Sequence, residues 1–270
     1  EMVGRTLSSE LVQNGDFSEL GSELVVNGDF ATDSDWTKGT NTTIEDGKAI
    51  LNVTSGGLQY ITNVGLDILN TKTYKITFTA NRTSGTGDLE LGYSNGNRVT
   101  GTPIISTNGT QTIYFKPTYN TPNLGFKSYT TSGNYTWEID NVSVKQVDPN
   151  DYWNLGTGWS IGDGKASFDG GSDANIIQTN SDINIGNTFK ITLDVSDMDN
   201  GELSVRLGGG AATEIARIED NGSYVFYGVS ISSNITFRAL SSFNGSIDNV
   251  SVKEVIDTNN IPRISYDSNG

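Results

Sequence analysis

Ile139-Asp140-Asn141-Val142-Ser143-Val144-Lys145 returns letter for letter as Ile247-Asp248-Asn249-Val250-Ser251-Val252-Lys253. Seven consecutive identities do not arise by chance, so the chain contains a duplication. Working outward, Thr73-Tyr74-Lys75-Ile76-Thr77-Phe78 matches Thr188-Phe189-Lys190-Ile191-Thr192-Leu193, and Ile44-Glu45-Asp46-Gly47-Lys48-Ala49 matches Ile161-Gly162-Asp163-Gly164-Lys165-Ala166. Gln59 aligns with Gln178 and Trp36 with Trp153. The spacing drifts from 117 residues at Trp36 to 108 at Ile139, which small loop changes absorb. Two modules are therefore expected, at 24–147 and 148–257.

Each module reads as strands. Tyr74, Ile76, Phe78 and Ala80 alternate with Thr and Lys, as do Phe189, Ile191, Leu193 and Val195. Period-two alternation places one face in a core and the other in water. Clusters of Gly, Asn and Asp interrupt the runs, among them 84–87, 95–97 and 200–201. That spacing suits a β-sandwich. Within the repeated heptad the parity slips: Tyr135, Trp137 and Ile139 share one phase, Val142 and Val144 the other. One extra residue at Asp140-Asn141, and again at Asp248-Asn249, would bulge the strand and switch its face. No substantial helix is expected, beyond one turn at 66–70. The fold class is all-β, two tandem sandwiches.

A shorter echo precedes them. Ser9-Glu10-Leu11-Val12-Gln13-Asn14-Gly15-Asp16-Phe17 is repeated 13 residues later as Ser22-Glu23-Leu24-Val25-Val26-Asn27-Gly28-Asp29-Phe30. The first copy is too close to the second to head a module of its own, so 1–23 reads as an arm. Residues 258–270 read as a connector to a further module.

Composition narrows the chemistry. The 270 residues include 28 Asn, 28 Ser and 31 Thr, against 18% charged residues. There is no His, which excludes imidazole catalysis and imidazole metal ligands, and no Cys, which excludes disulfides and thiol nucleophiles. A net charge of −15 argues against nucleic acid as a partner. No apolar run is long enough to insert in a membrane.

The ordered set of Asn-Gly-Asp-Phe at 27–30, Trp36, Asp46-Gly47-Lys48-Ala49, Gln59 and the closing Ile139-Asp140-Asn141-Val142-Ser143-Val144 resembles the β-jelly-roll carbohydrate-binding modules of the 4/9/22 type, among the galactose-binding-like sandwiches. The second copy departs, with Asn150-Asp151-Tyr152-Trp153 in place of Asn-Gly-Asp-Phe. The duplicated segment and the stretch 259–266 also resemble tail and tail-fibre proteins of marine bacteriophages. The resemblance implies jelly rolls that bind polysaccharide or cell-surface glycan without catalysis, outside the cell or on a virion, with a homo-oligomer within a fibre as a further expectation. It also implies structural calcium near the junction of first and last strands, with Asp29, Asp140 and Asp248 as ligands.

Sugar stacking needs flat aromatic faces. Tyr60, Tyr93, Tyr129, Tyr135 and Trp137 lie on or beside expected strands of the first copy; Trp159, Tyr224 and Tyr227 do so in the second. Trp36 and Trp153 occupy the same place in both and read as core plugs. Trp137 faces Gly245 in the alignment and Trp159 faces Thr42, which singles them out as copy-specific. The expected ligand-binding set is Tyr60, Tyr93, Tyr135, Trp137 and Trp159. Glu138 and Asp140 are the nearest approach to a catalytic carboxylate pair, but Glu138 aligns with Ser246 and no enzyme activity is expected. The alternatives are a purely structural spacer and an accessory module of a secreted polysaccharide-degrading enzyme.

Overall fold

A computed structural model describes residues 5–93, 97–130, 132–210 and 213–257. The expected connector at 258–270 and most of the 95–97 break lie outside the described residues. Every named element among them is a β-strand, and all pairing is antiparallel. The fold is all-β.

Contacts divide the chain into two units: residues 20–149, and residues 1–19 together with 150–270. We call the first the inserted unit and the second the split unit. This differs from the sequence expectation of an arm at 1–23 and modules at 24–147 and 148–257. The two modules are nested in the sequence, not tandem.

β1 (Arg5–Leu7) belongs to the split unit. The inserted unit holds β2 (Leu20–Glu23), β3 (Trp36–Lys38), β4 (Thr42–Glu45), β5 (Lys48–Val53), β6 (Tyr60–Ile68), β7 (Tyr74–Ser84), β8 (Leu89–Gly92), β9 (Gly109–Phe115), β10 (Thr121–Ser128) and β11 (Tyr135–Val147). One layer has the order β4-β5-β11-β7-β9, with β2 also on β11; the other is β3-β6-β10-β8. The expected turn at 66–70 is mostly strand, because β6 continues to Ile68.

The alternation read from the sequence sets the core. Ile76, Phe78 and Ala80 are fully buried, while Lys75, Thr77 and Thr79 on the opposite face are not. Phe78 meets Phe126 of the facing sheet edge-on at 4.8 Å, closing the layers. Each such side chain taken from water contributes about 1.5–3 kcal/mol.

The expected bulge is present. Tyr135, Trp137 and Ile139, then Val142 and Val144, are all buried despite their opposite parity. The β11–β7 register shifts between Asp140 and Ser143, and Asn141 takes a left-handed φ of 53°. Asn249 repeats it at 50°. Asn tolerates this region better than other non-Gly residues.

The split unit continues with β12 (Asn154–Leu155), β13 (Trp159–Gly162), β14 (Lys165–Asp169), β15 (Ala174–Thr179), β16 (Thr188–Arg206), β17 (Glu214–Ile218), β18 (Gly222–Val229) and β19 (Asn234–Asp257). β16 and β19 are long because each serves both layers. The start of β16 and end of β19 lie with β18, β14 and β13; the end of β16 and start of β19 lie with β15 and β17. This repeats the strand order of the inserted unit, with β17 added beside β16. The expected hairpin break at Asn200-Gly201 is a register shift within β16.

Residues 9–17 supply what the second copy lacked. In the inserted unit the Trp36 indole N–H donates to Asn27 O at 2.9 Å, and its ring meets Phe30 at 4.8 Å. In the split unit Trp153 donates to Asn14 O at 3.0 Å and meets Phe17 at 5.1 Å. Trp36 and Trp153 are buried core plugs, as read. Their Asn-Gly-Asp-Phe partners lie at 27–30 and at 14–17, the latter across the whole inserted unit. The Gln pairing also changes. Asn63 donates to Val26 O where Gln178 donates to Gln13 O, so Asn63, not Gln59, is the counterpart of Gln178.

Candidate functional site

Most of the expected binding aromatics face inward. Tyr93, Tyr135, Trp137 and Trp159 are buried. The Trp137 indole donates to Gly87 O at 2.9 Å. The Trp159 indole donates to Ala174 O at 3.2 Å, and its ring packs on Phe168 and Phe243. The Tyr135 hydroxyl donates to the carbonyls of Asp88 and Thr130. Burial pushes the Tyr135 phenol up to about 12, and raises Tyr74 and Tyr93 in the same direction. A ring enclosed by core atoms has no free face for a sugar, so these four leave the candidate set. The reason lies in parity: Tyr135 and Trp137 share the phase of Ile139, which is fully buried.

Tyr60 is half-buried on the solvent side of the β3-β6-β10-β8 sheet. The register places Tyr60 opposite Lys127, and Lys127 opposite Glu90. The next row on this face is Thr37, Thr62, Gly125 and Gly92. Lys127 Nζ lies 2.8 Å from Glu90 Oε1, and Arg98 Nε lies 3.4 Å from Glu90 Oε2. Lys127 and Glu90 are buried although they point away from the core. Gly92 makes room for this: a Cβ there would lie 3.0 Å from Lys127 Cδ. Arg98 also sits 5.8 Å from the ring of Tyr129, which is 51% exposed.

The face thus carries two tyrosines, an aliphatic lysine stem and a fixed Lys–Glu–Arg set. A desolvated ion pair contributes little net stability but holds its donors in place. Rings of this kind can stack on C–H faces, and the charged groups can bond hydroxyls. Sequence reading missed Lys127, Glu90 and Arg98. A signal existed, since Leu89-Glu90-Leu91 and Phe126-Lys127-Ser128 put opposite charges at corresponding points of two strands.

The equivalent face of the split unit differs. Asn175, Arg238 and Ser204 form the first row, and Ile177, Thr236 and Arg206 the second. Arg206 Nε donates to Ser204 Oγ at 2.7 Å, and that hydroxyl donates to Glu214 at 2.6 Å. Arg217 bonds both Glu214 and Glu202, at 2.8 and 2.6 Å. The Ser204 bond, then Arg217, hold the Glu214 carboxyl below its ordinary range. Asp173, 3.5 Å from Arg238, borders an open cleft of about 710 Å³ with Asn154, Asp169 and Asn175. Among the described residues no aromatic side chain lines it.

The expected calcium ligands have other work. Asp140 Oδ1 and Asp248 Oδ1 each accept the next N–H of the bulge at 2.6 Å. Asp29 Oδ1 accepts from Ala31 N at 3.3 Å. Burial first, then Asp194 and Asp16, raises the Asp248 carboxyl. Among the described residues no group of three or more acids comes together to hold a metal ion. Glu138 is paired with Lys48 at 2.8 Å. Among the described residues no helix is long and apolar enough to cross a membrane.

The chain matches no protein-family model and no curated protein sequence. Among solved structures it is similar to the tandem CBM22 domain from Paenibacillus barcinonensis Xyn10C, with 12% identity over 88% of this chain and 99% of that one, at a TM-score of 0.35. It is also similar to the second N-terminal cellulose-binding domain of Cellulomonas fimi β-1,4-glucanase C, with 15% identity over 48% of this chain and 97% of that one, at 0.34. A third likeness, to an arabinose-bound GH51 α-L-arabinofuranosidase, has 20% identity over 52% of this chain and 27% of that one, at 0.33. Likeness at these levels does not establish a shared family or activity.

Proposed function

We propose that the inserted unit binds a neutral polysaccharide, without cleaving it, on the solvent side of its four-stranded sheet. The observation that carries this reading is the Tyr60–Lys127–Glu90 row with Arg98 and Tyr129 beside it. Tyr60 and Tyr129 would stack on sugar rings. Arg98, held by Glu90, would meet hydroxyls. The resemblance of the sequence to carbohydrate-binding modules supports the same reading. Tail or tail-fibre attachment to a host-surface glycan is its finer form; a gene neighbourhood free of virion genes would count against it.

The test is a glycan array with the full chain, followed by calorimetry on the best hit. Binding is expected for at least one neutral polysaccharide. Tyr60→Ala and Tyr129→Ala should each weaken it by about tenfold, the scale of a buried aromatic contact. An array silent at high protein concentration would sink the proposal. One observation favours a second reading, a structural spacer: the copy-specific Trp137 and Trp159 are both buried and offer no binding surface.

A further inference from the structure

Residues 8–17 sit in the split unit as a bound peptide would. Ser8 N donates to Glu254 O at 2.9 Å, Leu11 N to Val252 O at 3.0 Å, and Val250 N to Gly15 O at 2.9 Å. One oxygen of Glu10 accepts the N–H groups of Leu11, Val12 and Val252, and the other accepts the Ser251 hydroxyl. Gln178 reads the backbone of Gln13 from both sides, accepting its N–H at 2.7 Å and donating to its carbonyl at 2.8 Å. Val12 and Phe17 are buried, the latter against Trp153. The fit is tight at Gly15, where a Cβ would lie 2.0 Å from Val250 O.

The second copy of the segment repeats this set in its own module. Glu23 accepts from Leu24, Val25 and Val144 N–H and from the Ser143 hydroxyl. Val142 N donates to Gly28 O at 2.8 Å, and a Cβ on Gly28 would lie 2.0 Å from Val142 O. Two grooves therefore read one peptide, Ser-Glu-Leu-Val-x-Asn-Gly-Asp-Phe, by matching contacts at its Glu and Gly, while Asn63 makes only the donor half of the Gln178 pair.

We infer that the groove of the split unit is a peptide-recognition site, and that its second occupant is the same segment from another copy of this chain. All the groove atoms come from residues 150–257, and the segment reaches them only through the 130 residues of the inserted unit. An identical segment from another molecule preserves every contact named above. Exchange is thus set by concentration, not by a change of interactions. This inference is independent of sugar binding.

The test uses the full chain carrying both Glu10→Ala and Phe17→Ala, with a labelled peptide spanning residues 6–19. The peptide should bind this variant saturably. It should bind the unaltered chain at least about tenfold more weakly, because the resident segment competes. A peptide with Gly15→Ala should lose about tenfold or more. If the variant's split unit melts early, the same peptide should restore its thermal transition. A peptide that neither binds nor restores that transition overturns the inference. Tagged and untagged unaltered chains refolded together at high concentration should co-purify, and excess peptide should abolish this; recovery of separate monomers alone would overturn the exchange between copies.

Discussion

One cross-strand row distinguishes the two units. In the inserted unit it reads Thr42, Leu51, Trp137; in the split unit the same places hold Trp159, Phe168, Gly245. The largest side chain has moved from the inner strand to the edge strand. Phe243 completes the exchange, since its ring lies 2.9 Å from where a Cβ on Gly245 would stand. The two cores hold the volume differently, and both Trp side chains are consumed in doing so. An aromatic present in one copy only can therefore mark a different solution to the same packing problem. Charge separates the units too. Residues 20–149 carry 12 acids and 9 bases, net −3, and the rest of the chain carries 20 and 8, net −12.

The strongest test of this comparison removes the two tryptophans. Trp137→Ala should destabilise the inserted unit, and Trp159→Ala the split unit, by about 3–5 kcal/mol each. Scanning calorimetry should show two transitions, each moved by one variant. A single transition moved by both would break the division into units. Next come the glycines. Gly28→Ala and Gly15→Ala stand 13 residues apart, yet should lower different transitions, each by about 2–4 kcal/mol, because each new methyl meets a carbonyl. If Gly15→Ala moved the transition of the inserted unit, the assignment of 9–17 to the split unit would fail.

A smaller effect comes from pH, with opposite signs in the two units. Tyr135 has a raised pKa, so its contribution is whole below about 10 and is lost as pH rises through about 12. Tyr74 and Tyr93 act in the same direction in the same unit. In the split unit the Ser223 bond lowers Asp194, the Lys165 bond lowers Asp197, and the Ser204 bond lowers Glu214. Their contribution is present above the ordinary carboxylate range and is lost as pH falls below it. Asp248, raised by burial, partly offsets them. Melting curves across pH should show the inserted unit failing first in alkali and the split unit first in acid. The reverse order would contradict this electrostatic contrast. The smallest expected change is Tyr129→Ala, which should move either transition by less than ~0.5 kcal/mol while weakening glycan binding.

Much of this architecture could be read from the residues. Alternation named the strands, and the parity slip at Asp140-Asn141 named the bulge, because both follow from local geometry. Nesting was not read, because nearness in sequence was taken as nearness in space. The signal was there: a surplus Asn-Gly-Asp-Phe before one copy and its absence from the other. The inward side of Trp137 was also legible, since it shares its phase with Ile139. The Lys127–Glu90–Arg98 set depends on register between strands far apart in the chain, which alternation alone does not supply.

Pairing of Arg5 with Asp257 has a consequence for manufacture. During synthesis the inserted unit is complete once residue 149 has emerged. Residues 5–19 must then wait for 150–257, roughly 5–20 s at ordinary elongation rates. Through that interval Val12 and Phe17 have no core to enter. The nascent segment 5–19 therefore stays sticky until the strand that ends at Asp257 has been made.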